Sequence, residues 1–314
     1  MFVTATALAI IAFALAWPIP IALADAQWPS RAPGTALALW QSIALAGGLS
    51  MIGALLCYGL IPFGDSLLGG LFALATHAFE GVPEGVGLDH ILALTGAMLL
   101  AFHLLMNLTA TFIRSERQRR RHHQLVELLS DPLPDRPGTR VIEYAAPVAY
   151  CLPGASRSVT VLSAGIMQLL TADELQAVIA HERAHLRQQH PIVLVMFKSW
   201  RSALPWFPIA NRSENAVALL VEMLADDEAR NEVDDLVLAR AIALAGTSGH
   251  PELALAIDDA ERAPIDESDH VDLVTPRVTR LVKPLPPLPV GSRAGVLGTA
   301  ISLLLVPTAL LLVT

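Results

Sequence analysis

Four apolar runs set the terms on which this chain can fold. Phe2 to Ala24, Ala36 to Pro62, His90 to Ile113 and Gly295 to Val313 are each long enough to cross the hydrocarbon core of a bilayer as a helix, which takes about 20 residues. Lipid offers no partner to a backbone N–H or C=O, so such runs must be helices that satisfy themselves. The composition agrees. With 54% hydrophobic residues, 16% charged residues and a mean hydropathy of +0.52, the chain is too apolar for an ordinary soluble protein and reads as a membrane protein with a modest soluble part. A secretory signal peptide is the competing reading of the first run. No Lys or Arg precedes it, and Pro18 and Pro20 make an unusual end, which favours a retained span. Trp40 and Tyr58 stand near the ends of the second run, where interfacial aromatics belong. Leu67 to Ala75 is apolar but short and carries Gly69 and Gly70, the pattern of a re-entrant or interfacial piece.

The charges orient the spans. Directly after the third run comes Arg114-Ser115-Glu116-Arg117-Gln118-Arg119-Arg120-Arg121-His122-His123, and five arginines beside a span mark the cytoplasmic side. The segment between the second and third runs holds Asp65, Glu80, Glu84 and Asp89 and no Lys or Arg, which suits the outside. The N-terminus is then outside, and the short loop holding Arg31 inside. An arginine run next to a span anchors to anionic headgroups. No direct nucleic-acid binding is expected, and the uneven net charge of -8 says little about partners. Cys57 and Cys151, the two cysteines, fall in a span and a strand and form neither a disulfide framework nor a Cys-x-x-Cys zinc pair.

From Gln124 to about Val290 the chain reads as a domain outside the membrane. Val141 to Tyr144, Val148 to Leu152 and Val159 to Ser163 are short β-type runs separated by Pro and Gly. Thr171 with Glu174 three residues on reads as a capping box, and Leu175, Val178 and Ile179 give the following helix an apolar face, with Pro191 expected to stop it. Ile192 to Ile209 lies on the membrane or packs in the domain core; spanning would put Lys198 and Arg201 in lipid. Amphipathic helices follow from about Ser213 and from Asp234 to Ala245. Asp258 to Asp272 is acidic and loop-like, and Lys283 to Pro289 is a stiff proline-rich linker.

Inside the first of these helices stands His181-Glu182-Arg183-Ala184-His185. Histidines four apart on a helix point the same way, so both imidazoles reach one metal ion. The Glu beside the first His is placed to take a proton from a metal-bound water. A catalytic zinc takes three protein ligands and keeps a position for water. Glu222, opening a Glu-x-x-x-Asp pair on a later helix, is the candidate third ligand, and Asp226, one turn on, the candidate to orient a ligand histidine. The same two acids also read as the solvated face of a helix. His190 reads as a helix-end cation, and His122 and His123 extend the basic anchor. His77, His90 and His103 lie in or near lipid at a spacing that is not diagnostic.

The run Val159 to Pro191, with Ser163-Ala164-Gly165-Ile166, Asp173-Glu174-Leu175 and then His-Glu-x-x-His, resembles the gluzincin membrane metallopeptidases. The block Glu222 to Ala229 is similar to their Glu-x-x-Ala-Asp signature. Three spans before the domain and one after it, with Arg277-Val278-Thr279-Arg280-Leu281 ahead of the last, resemble the BlaR/MecR-type antirepressor peptidases more than the HtpX and CAAX-protease relatives. The resemblance implies Glu222 as third ligand, Glu182 as general base, one Zn2+ per chain, and a cytoplasmic winged-helix repressor of BlaI type as substrate. β-lactam sensors of that type carry a penicillin-binding domain with a Ser-x-x-Lys nucleophile after the last span. Here neither Lys198 nor Lys283 has a Ser three positions before it, so a sensorless member is expected.

The expected fold is a multi-span α-helical membrane protein with an inserted α+β gluzincin zinc peptidase domain. Residues 1–113 form a membrane region with three transmembrane helices, 114–290 the cytoplasmic peptidase domain, and 291–314 the fourth transmembrane helix. Two other functions stay open: a membrane-protein quality-control protease, and a signalling scaffold without chemistry, against which the intact Glu182 argues.

Overall fold

The computed structural model describes residues 1–80, 85–133, 138–152, 159–204, 208–248 and 272–313. It divides into two compact units, one of Met1–Ala110, Met196–Val217 and Pro287–Thr314, the other of Thr111–Val195 and Ala218–Pro286.

The first unit holds the apolar helices: α1 (Phe2–Ala16), α2 (Pro18–Ala24), α3 (Pro33–Gly59), α4 (Leu67–Glu80), the start of α5 (Leu88–Leu129) and the last helix of the chain, Val290–Val313. Among the described residues, four stretches are long and apolar enough to cross a membrane: Phe2–Ala24, Pro33–Gly59, Leu88–Leu129 and Val290–Val313. The first is broken at Trp17, whose backbone leaves the helical region where Pro18 withholds an N–H. Close approach of helices is bought with small residues. A Cβ on Gly53 of α3 would stand 3.0 Å from Leu311 and 3.2 Å from Leu8, so this crossing needs glycine. The short apolar run at Leu67 is helical throughout. The third expected span lies wholly within α5, which does not stop at Ile113 but runs on to Leu129, 42 residues in all and roughly 63 Å at the helical rise. Hydropathy ends there; helix propensity does not, since Arg, Gln and Glu are good helix formers.

The second unit is an α+β arrangement. β1 (Ser130–Pro132), β2 (Thr139–Ile142), β3 (Ala149–Leu152) and β4 (Val159–Ser163) form one sheet of order β1-β2-β4-β3, with β2 and β4 parallel and the outer pairs antiparallel. β4 is central and reads Val-Thr-Val-Leu-Ser, buried from its second residue on. β1 has no β-type sequence; Arg140 holds it, with Nε donating to the Ser130 hydroxyl at 2.6 Å. After the sheet come α6 (Ala164–Leu169), α7 (Ala172–Arg187), α8 (His190–Ala203), α9 (Pro208–Ala229), α10 (Asp235–Ser248) and α11 (Thr275–Val282), the helix Val290–Val313 being α12. Leu162, Ile166, Leu175 and Ile179 make the core between sheet and α7. Ala177, Ala180, Leu238 and Leu281 make a second core between α7, α10 and α11.

Pro191 corrects one expectation. The helix ends at Arg187, and Pro191 opens α8 instead of closing α7. Proline suits the first turn of a helix because its missing N–H would have no partner there. The turn itself is made by Gln189 at φ 52. The acidic stretch Asp258 to Asp272 lies outside the described residues as far as 271, as do Glu84 and the side chains of His77 and Glu80.

Candidate metal centre

The site is built on α7, and the local sequence explains why α7 is fixed. Thr171 accepts from the Glu174 N–H while the Glu174 carboxylate accepts from the Thr171 N–H at 2.9 Å, a complete capping box. Upstream, the Ser163 hydroxyl caps α6, accepts from the Val148 N–H at 2.9 Å and donates to the Ala146 carbonyl at 2.7 Å. That ties the loop before β3 to the end of β4. Gly165 makes this possible, because a Cβ there would fall 2.0 Å from the Ala145 carbonyl oxygen.

One turn apart on α7, His181 and His185 bring their Nε2 atoms within 3.1 Å of each other. Glu222 of α9 meets both: Oε2 lies 3.3 Å from His181 Nε2 and Oε1 3.4 Å from His185 Nε2. These three are the one group of metal-ligand type among the described residues, with their donor atoms all within 4.8 Å of one another. Two imidazoles and a carboxylate converging from two helices fit a catalytic zinc ion, which takes three such donors and leaves the fourth position open.

The next layer is charged and buried. Asp226, its side chain 1% exposed, places Oδ1 2.9 Å from His181 Nδ1. Arg277 of α11 closes on both acids at once. Its Nε and Nη2 donate to the two Asp226 oxygens at 2.8 and 2.7 Å, and Nη1 lies 2.8 Å from Glu222 Oε2. The planar fork of arginine matches a carboxylate in this bidentate way, which a lysine would not. His185 Nδ1 lies 2.9 Å from His190 Nδ1. His190 is therefore a buried member of the site at the start of α8, not a cation on an exposed helix end.

These contacts set the protonation of the site. Burial would raise Glu222, but the His181 hydrogen bond and the Arg277 charge outweigh it and hold the carboxyl at about 2. Asp226 is lowered for the same reasons, against burial. Burial works against the charged form of His181 as well, yet hydrogen bonds to Asp226 and Glu222 raise it to about 9. His185 has no such carboxylate hydrogen bond, and burial lowers it to about 4. Glu182 stands apart. Burial pushes it up to about 7 against the pull of His181, while the Cys151 N–H of β3 donates to it. A carboxyl poised there can both take and give a proton near neutrality.

A cleft of about 290 Å³ opens beside these groups. Pro147, Val148 and Ala149, leading into β3, form one side, while Val178, Leu238, Ile242 and Val274 supply an apolar floor and wall. β3 is the edge strand on the α7 side, whereas β4 lies between two neighbours and offers no free edge.

Residues 114–226 match the model of peptidase family M48. The match covers about a third of the chain and takes in His181, Glu182, His185, Glu222 and Asp226. It supports a metallopeptidase hydrolase of the gluzincin type, and the four apolar helices make a membrane-inserted one consistent with it. No curated protein and no solved structure matches the chain. Arg277 falls 51 residues beyond the end of the M48 match, on a separate helix. Its contact with the ligands is visible only in three dimensions. Outside the centre, His90 stacks on Tyr58 at 5.3 Å beside Asp89, and His103 Nε2 lies 3.1 Å from the Ala203 carbonyl.

Proposed function

We propose that the chain is an integral-membrane zinc endopeptidase whose catalytic domain, residues 114–290, faces the cytoplasm. The observation that carries this is the convergence of His181, His185 and Glu222 with Glu182 on the same helix as the first histidine. Zinc held by the three donors would polarise the scissile carbonyl and acidify a water from 15.7 towards about 7. The rest is done by the chain. Glu182 accepts the proton of the attacking water at its carboxylate and delivers it to the leaving amine. Asp226 keeps the His181 ring turned inward, and Arg277 balances the two acids. A substrate segment running along β3 gains main-chain hydrogen bonds from a strand edge and seats an apolar side chain against Leu238 and Ile242.

By resemblance the substrate is a cytoplasmic winged-helix repressor of BlaI type, so that cleavage turns genes on. The apolar cleft also favours a second reading, a quality-control protease that takes apolar segments of damaged membrane proteins. The two separate in one experiment. Purified full chain and its Glu182→Gln variant are each incubated with a purified winged-helix repressor of BlaI type and with an unfolded membrane protein. Cleavage of the repressor at one bond by wild type alone supports signalling. Cleavage of only the unfolded substrate, at many bonds, supports quality control. No cleavage of either would sink the peptidase assignment.

A further inference from the structure

We propose that His190 is a positioning residue for His185, acting through its Nδ1 as a hydrogen-bond acceptor. The proposal rests on the reading of His181, His185 and Glu222 as metal ligands. A ring nitrogen that ligates a metal carries no proton, and a neutral imidazole carries one. His185 faces Glu222 and His181 with Nε2, so its proton sits on Nδ1. That Nδ1 meets His190 Nδ1 at 2.9 Å. One of the two must donate and the other accept, so His190 Nδ1 is bare and the His190 proton lies on Nε2. There it finds an acceptor, the Gln188 side-chain carbonyl, at 2.8 Å. The direction of every bond from ligand to glutamine then follows from the first. Any other placement sets N–H against N–H or leaves a buried polar atom without a partner.

The backbone is shaped for this contact. His190 is 2% exposed and follows Gln189, a non-glycine residue in the left-handed region at φ 52. Such a backbone conformation is strained for a non-glycine residue and persists where the surroundings demand it. The bend turns the chain back after α7, so that the first residue of α8 reaches the second histidine of α7. The two histidine ligands thus have different outer partners. His181 leans on a carboxylate, Asp226, and His185 on a neutral imidazole. Outer partners of metal ligands fix ring orientation and tautomer, and losing one weakens metal binding roughly 10- to 100-fold.

The test compares zinc affinity, by competition with a chromogenic chelator, and the visible spectrum of the cobalt-substituted protein, using full-length chain in detergent. His190→Phe keeps a ring and removes the acceptor. It should weaken zinc roughly 10- to 100-fold and shift the cobalt bands. His190→Asn places Oδ1 where Nδ1 stood and should stay within about threefold of wild type. Should the Phe variant not fold, the more exposed pair serves in its place: Gln188→Met should weaken zinc and Gln188→Glu should not. Zinc bound equally by wild type, the Phe variant and the Met variant would overturn the proposal alone. So would an Asn variant as weak as the Phe variant, since that pattern reports packing and not acceptance. Wild-type chain that takes up no zinc would overturn the metal reading and this proposal with it.

Discussion

Replacing Arg277 with Met should be among the most damaging single changes in this domain, although the residue donates nothing to a metal. Methionine keeps much of the apolar stem and removes three charge-assisted bonds, two to Asp226 and one to Glu222. Asp226, 1% exposed at its side chain, is then a buried carboxylate without its cation. Breaking a buried ion pair by deleting one partner costs about 3–5 kcal/mol, because the other charge stays buried. For a domain of this size that is roughly 10 °C of melting temperature. The effect has a defined pH dependence. Both carboxyls are held below their ordinary values in the folded chain, so the stabilisation is complete above the unfolded value of about 4. It is lost as pH falls through the folded values, and the gap between variant and wild type should narrow towards about pH 2. The assay is thermal unfolding in detergent at one scan rate, with Arg277→Met, Asp226→Asn and the double variant. The double variant removes the charge as well as its partner and should recover much of the loss. A single variant melting within about 2 °C of wild type, or a double variant no better than the single, would refute the reasoning.

Three further outcomes are expected. Glu182→Gln should bind zinc like wild type and cleave nothing, whereas His181→Ala, His185→Ala and Glu222→Ala should each lower bound zinc in metal analysis; a Glu222→Ala protein with full zinc would remove the third ligand. After treatment with a chelator, the protein should lose stability as pH rises from about 6.5 to about 9, because His181 is raised to about 9 in the folded chain and its contribution is present only while it holds its proton. Zinc-loaded protein should lack that slope, and a flat chelated curve would contradict the raised value. In intact cells, with both native cysteines replaced, an impermeant thiol reagent should label a cysteine at Gly85 and not one at the exposed Asp173; labelling at Asp173 would put the catalytic domain outside.

The parts of the site legible in the sequence are those written in one helical period. His181 and His185 four apart, Glu182 beside them and the Thr171–Glu174 cap follow from the geometry of a single helix, whereas the spacing of Glu222 and Asp226 also fitted a solvated face and their role was implied by the family resemblance. What could not be read depends on a partner far along the chain. Arg277 is 51 residues from Asp226, and an arginine on a short amphipathic helix looks no different from a solvated one. His190 fails for another reason. Its fate turns on one residue, Gln189, taking a left-handed conformation that glutamine seldom adopts. Pro191 was ambiguous in principle, since proline both ends helices and begins them. The strands show the same division. β4 carries its own β-type pattern and coincides with the expected run, whereas Ser130–Pro132 is a strand only because β2 and Arg140 make it one.

The donors and the guanidinium that balances them leave the ribosome at different times. A nascent chain extended to Arg230 already holds His181, Glu182, His185 and Glu222, but Arg277 follows only 13 residues before the start of α12 at Val290. Until then Asp226 and Glu222 lack the guanidinium and have only His181 to set against two carboxylates, an arrangement costly to bury. A chain truncated after Ser248 should therefore carry all three donors and still bind zinc poorly. The order of synthesis thus delays completion of the His–His–Glu centre until the apolar helix α12 is about to be made.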